Sequence, residues 1–152
     1  MCFCLVVPGL AACGAATTPS SATPASPASA GFTGYHWLVV AIAQDGKVTS
    51  IPGRFNVNLQ FSRAGRFLAD DPVNSHSGRF RLTPGGFTTS AVVSTAVGYA
   101  GHDPVILLSQ RAMMTLANGA HAAARVTGNR LVVSVGSYTL TCQRHGPAGT
   151  DL

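Results

Sequence analysis

From Phe32 onward, apolar and polar positions along the chain mostly alternate with period two, the mark of strands that bury one face. Val57, Leu59 and Phe61 alternate with Asn58, Gln60 and Ser62. Phe80 and Leu82 alternate with Arg79 and Arg81, and Leu131, Val133 and Val135 with Arg130, Val132 and Ser134. Tyr138, Leu140 and Cys142 share one face of a closing strand. The run Tyr35 to Ala43 is apolar on both faces around Trp37, which predicts a strand covered from both sides. Turn signals separate these runs: Asp45-Gly46, Arg63 to Arg66, Pro84-Gly85-Gly86 and Gly128-Asn129.

One segment departs from period two. Asp103-Pro104 supplies a helix N-cap followed by proline at the first helical position. Val105, Leu108, Ala112 and Leu116 then recur at helical spacing until Asn118-Gly119 stops the helix. A sheet needs a partner for its apolar face, and one amphipathic helix suffices for a domain of about 115 residues. The expected fold is therefore α+β: a curved, mainly antiparallel, barrel-like sheet of about seven or eight strands with one helix packed near 103–118.

The first thirty residues read differently. Cys2 to Cys13 is small and apolar but shorter than the roughly 18–20 residues that span a bilayer. It matches a secretory signal, and Leu10-Ala11-Ala12-Cys13 matches a bacterial lipobox, whose cysteine sulfur is the nucleophile that takes a diacylglycerol. No basic residue precedes the apolar run, so the translation start is expected upstream of Met1. Gly14 to Ala30 contains only Gly, Ala, Thr, Ser and Pro, too little to anchor a core and too rich in proline for a helix. The expected organisation is a signal over 1–12, a lipidated Cys13 with a tether over 13–31, and one domain over 32–145. Cys2 and Cys4 leave with the signal, so Cys142 stays as a single buried thiol without a disulfide.

The order of segments resembles the META domain family, which includes HslJ-type heat-shock envelope lipoproteins. Trp37 and Leu59-Gln60-Phe61 stand where that family has an opening tryptophan strand and a Leu-x-Phe strand. Val73-Asn74-Ser75-His76-Ser77-Gly78-Arg79-Phe80 resembles its Gly-Cys-Asn segment, and Thr95-Ala96-Val97-Gly98-Tyr99 stands for its Thr-x-Met-Ala-Cys segment. Both motif cysteines are replaced, by Val73 and Tyr99. The resemblance implies a fold and an envelope address, but no reaction.

Composition and candidate chemistry narrow the function further. The formal net charge is +5 with only 10% charged residues, and the basic residues are nine Arg and Lys47 against five Asp and no Glu. Aromatic residues do not interleave with the basic ones, which argues against a nucleic-acid partner. The five histidines are scattered without metal-ligand spacing, and carboxylate ligands are scarce, so no metal or cofactor is expected. In Ser75-His76-Ser77 the histidine faces away from both neighbouring serines on an extended segment. Asp70 and Asp71 read as a solvated loop before Pro72. No catalytic constellation emerges, and the chain is expected not to be an enzyme.

Arg63, Arg66, Arg79 and Arg81 are the remaining feature, a cluster facing anionic lipid or an acidic wall polymer if their strands pair. The functional expectation is a membrane-anchored envelope lipoprotein, on the outer side of the cell membrane, acting as a binding or stress-associated accessory module toward an envelope partner. The alternative is a carrier of an apolar ligand or an inhibitor of an envelope enzyme.

Overall fold

The computed structural model describes residues 30–149. The signal and all but the last two tether residues, Cys13 included, lie outside the described residues.

Among the described residues nine strands run in chain order: β1 (Tyr35–Gln44), β2 (Lys47–Ser50), β3 (Asn58–Phe61), β4 (Arg66–Asp70), β5 (Ser75–Thr83), β6 (Gly86–Ser94), β7 (Ala122–Thr127), β8 (Arg130–Val135) and β9 (Tyr138–Pro147). The helix α1 spans Pro104–Ala117, between β6 and β7. Every pairing is antiparallel, and β9 pairs back onto β1. β3 takes Tyr35 to Leu38 on the other edge of β1, while β2 takes Ala41 to Gln44 on that same edge. These two short strands share one place in the ring, so the sheet is a closed eight-strand barrel with one packed helix. The α+β expectation holds, and closure removes the free sheet edges that would invite pairing with other chains.

Local chemistry accounts for the turns. Asp45 and Gly46 both have positive φ (50° and 80°), as a tight two-residue hairpin requires. The β6–β7 seam is only two residue pairs wide, and Gly86 sits in it. A Cβ on Gly86 would fall 1.9 Å from the Ala122 carbonyl oxygen, so the seam closes only around glycine.

Two strand expectations need correction. β1 is not covered on both faces: Trp37, Val39 and Ile42 are buried, while Leu38, Val40 and Ala41 are half-buried. A register shift between Val39 and Ala41 turns the strand over by one residue, so the inward set changes parity within one apolar run. Leu82 is 43% exposed, although it shares the period of buried Phe80. It stands two residues before the Pro84-Gly85 turn, where β5 leaves the core.

One end of the core is aromatic. The Phe61 ring lies 4.7 Å from Phe32, 4.9 Å from Phe87, 5.3 Å from Phe80 and 5.6 Å from Phe67, mostly edge to face. Phe32 comes from a 3-10 turn at Ala30–Phe32, and its carbonyl accepts the Trp37 indole N–H at 2.9 Å. The other end is closed by α1, which touches β1, β4, β5, β6 and β8. Those strands stand on opposite sides of the ring, so the helix lies across the barrel mouth. Leu108, Ala112, Met113 and Leu116 face inward, Val105 is half-buried, and the Asp103 carboxylate caps the helix by accepting from Val105 N–H at 2.8 Å. Beyond the narrow β6–β7 seam, the Thr89 hydroxyl donates to the Leu116 carbonyl at 2.8 Å and ties the helix end to β6.

Candidate functional site

The helix-capped end carries the polar side chains that converge. Residues 71–74 form the β4–β5 turn, closed by Asp71 N–H donating to the Asn74 carbonyl at 2.9 Å. The Asp71 Oδ1 accepts from the backbone N–H groups of Val73 and Asn74, both at 2.8 Å. Its Oδ2 lies 3.2 Å from His76 Nε2. Burial would raise the Asp71 pKa, but the His76 hydrogen bond and the two backbone N–H groups outweigh it and hold it below the ordinary carboxylate range. Asp71 is thus an ionised, buried carboxylate with both oxygens engaged, whereas a solvated loop residue was expected. Asp70 is half-buried at the end of β4 and accepts from the Asn58 side-chain amide at 3.1 Å.

His76 is buried, and its other ring nitrogen, Nδ1, lies 2.7 Å from the Ser94 hydroxyl oxygen. Ser94 is the last residue of β6, directly opposite His76 in register, and it is exposed. Asp71, His76 and Ser94 therefore form one hydrogen-bonded line running from the interior to solvent. Ser75 and Ser77 are exposed on the outer face and are not partners of the ring, as their alternation with His76 predicts. Alternation along one strand says nothing of Ser94, which lies eighteen positions away and is supplied by the facing strand.

Asn74 anchors the segment after Ser94. Its side-chain oxygen accepts from Val97 N–H at 2.8 Å and from the Thr95 hydroxyl at 3.1 Å, while its amide donates to the Val97 carbonyl at 3.2 Å. The Thr95 hydroxyl oxygen also accepts from Ser75 N–H at 3.0 Å. The two segments that resemble family motifs thus lock onto each other. This latch holds residues 95–99 away from α1 and leaves a groove of about 420 Å³ between them. Asn74, His76 and Ser94 supply its polar side; Val97, Leu107 and Met114 supply apolar walls. Val97 and Met114 are 56% and 55% exposed, so the groove presents uncovered apolar surface beside a polar floor. Gln110 and Arg111 project from α1 along the same groove.

The arginines expected to cluster do so in part. Arg66 and Arg79 are direct cross-strand partners on β4 and β5, Arg81 follows two residues along that face, and all three are exposed. Like charges at paired positions repel, which an anion between them would relieve. Arg63 is exposed in the β3–β4 turn and stands over Gly34, where an added Cβ would meet its Nε at 2.9 Å. No carboxylate pairs with any of the four among the described residues.

Cys142 is fully buried in β9 and unpaired, and burial pushes its thiol pKa far up, so it is inert. The His36 and His145 rings meet edge to face, centroids 5.1 Å apart, across β1 and β9. Burial, and then the neighbouring His145, lower the His36 pKa. Among the described residues no three metal-ligating side chains converge.

The barrel with its transverse helix defines a class of small α+β domains, and comparison with known proteins places the chain within it. Residues 30–146 match the META domain model, and the protein belongs to the META domain family. Two solved structures share the fold. One, the NMR structure of a protein from Burkholderia xenovorans, is 17% identical with a TM-score of 0.61, covering 86% of this chain and 99% of its own. The other, also an NMR structure, is 19% identical with a TM-score of 0.55, covering 72% of this chain and 88% of its own. At such identities the likeness concerns the fold alone. No curated protein matches the chain.

Proposed function

We propose that this protein is a lipid-anchored envelope accessory protein whose META domain binds a small acyl-bearing molecule in the groove between residues 95–99 and α1. The observation that carries the reading is the groove itself: apolar walls from exposed Val97 and Met114 and half-buried Leu107 meet the polar floor of Asn74, His76 and Ser94. Its volume, about 420 Å³, lies within the range that holds a small molecule. An amphipathic occupant fits because one side of the groove offers only dispersion contacts and the other offers hydrogen-bond partners. Acyl chains with polar heads are abundant at a membrane, where a lipid on Cys13 and the tether over 13–31 would hold the domain. The exposed Arg66, Arg79 and Arg81 face then gives a second contact, with anionic head groups or an acidic wall polymer. The test is titration of the full chain with a fluorescent long-chain fatty acid. Saturable binding is expected, weakened at least about tenfold by Val97→Asp, which puts a charge against the apolar wall.

A further inference from the structure

The line Asp71–His76–Ser94 ends in the groove, and its chemistry goes beyond holding a ligand. We propose that Ser94 is a nucleophile and that the groove hydrolyses carboxylic esters, a proposal that rests on the acyl-binding reading for its substrate class.

Three observations converge. His76 is buried between a carboxylate 3.2 Å from Nε2 and a hydroxyl 2.7 Å from Nδ1. With Asp71 accepting the proton on Nε2, Nδ1 carries the lone pair that accepts the Ser94 O–H. Ser94 itself is exposed, so a bound carbonyl can reach its oxygen. The third is the surroundings: apolar walls for an acyl chain, with the side-chain donors Gln110 and Arg111 across the groove to meet negative charge on the carbonyl oxygen.

In the first half-reaction Ser94 Oγ bonds to the carbonyl carbon as its proton moves to His76 Nδ1, and the carbonyl π electrons move onto oxygen. Collapse breaks the bond to the alcohol oxygen, which takes the proton from Nδ1, and leaves an ester on Ser94. Water repeats the sequence: it gives its proton to Nδ1, bonds to the acyl carbon, and expels Ser94 Oγ, which recovers the proton. The sum is ester plus water to acid plus alcohol, with no other reactant. Asp71 touches no reacting atom and acts as a positioning residue, fixing the tautomer and orientation of His76.

The experiment treats the full chain with an alkyl fluorophosphonate, which forms a P–O bond to an activated serine and expels fluoride, and locates the adduct by mass spectrometry. p-Nitrophenyl butyrate hydrolysis is followed in parallel, and binding of the fluorescent fatty acid is measured on each variant. The adduct is expected on Ser94 alone. Ser94→Ala should abolish both labelling and hydrolysis. Asp71→Asn can still accept the two turn N–H groups through Oδ1, but its amide would donate to Nε2 and force the proton onto Nδ1. It should therefore lower kcat by about 100-fold or more with KM little changed. Equal labelling of the wild type and Asp71→Asn, absence of an adduct on Ser94, or hydrolysis that survives Ser94→Ala would overturn the proposal. Ser94→Ala alters an exposed residue and keeps the result decisive should Asp71→Asn fail to fold. Labelling of Ser94 without fatty-acid binding would uphold the nucleophile and overturn the acyl-binding reading.

Discussion

The two ends of the barrel are closed by different means. At one end, Phe32, Phe61, Phe67, Phe80 and Phe87 interlock. At the other, a helix lies across the mouth, and beside it a polar latch of Asn74, Thr95 and Val97 holds a loop open over a groove. Interlocked aromatic rings fill the space between them; directional hydrogen bonds can hold a segment at a distance from its neighbour. On the proposed reading, the first end carries stability and the second recognition. Exposed apolar side chains line the groove and are absent from the aromatic cluster, where every ring is at most 9% exposed.

The largest effect is expected at the aromatic end. Phe61→Ala removes the ring at the centre of the cluster and should cost about 3–5 kcal/mol of stability in thermal or denaturant unfolding. Fatty-acid affinity of the fraction still folded should be unchanged. At the latch, Asn74→Ala removes the bonds to the Val97 amide and carbonyl and should cost about 0.5–1.5 kcal/mol. Its distinguishing sign is local: hydrogen exchange should accelerate at residues 95–99 and not at β8 or β9. Protonating Asp71 removes an acceptor from the same turn. Because the Asp71 pKa is lowered by folding, that contribution is present above the ordinary carboxylate pKa of about 4 and is lost as pH falls through the depressed value. Acid melts should therefore loosen this turn, and Asp71→Asn, which removes the titrating carboxylate, should narrow the gap between neutral and acid stability. The smallest effect lies outside both ends. Arg79→Ser with Arg81→Ser should weaken binding to anionic vesicles by roughly 2 kcal/mol, less in added salt, whereas Arg125→Ser with Arg130→Ser should matter less. Equal losses would mean diffuse positive charge instead of an arginine face.

Whether an element is legible in the sequence depends on the range of the interactions that make it. The Asp45-Gly46 hairpin, the Asp103 cap and the inward set Leu131, Val133 and Val135 are local or periodic, and each is legible from neighbouring residues. The bulge at Val40 is not, because continuous apolar residues hide a change of face. Barrel closure by β9 on β1 joins residues about a hundred positions apart, so no local pattern fixes which strands meet. The candidate site is the least legible part. His76 takes its partners from a turn five residues before and a strand eighteen residues after, so no spacing motif marks it. Asn74 and Thr95 are visible as resembling motifs, but their mutual hydrogen bond is not.

On the proposed reading, the groove beside α1, and not the arginine face or the aromatic end, receives the ligand. A backbone amide NMR titration of the protein with a medium-chain fatty acid tests it directly. Saturable shifts are expected at Asn74, Ser94, Val97, Leu107 and Met114, with Phe61 and Phe87 unmoved. Shifts centred on Arg66, Arg79 and Arg81, or none at saturating ligand, would contradict it.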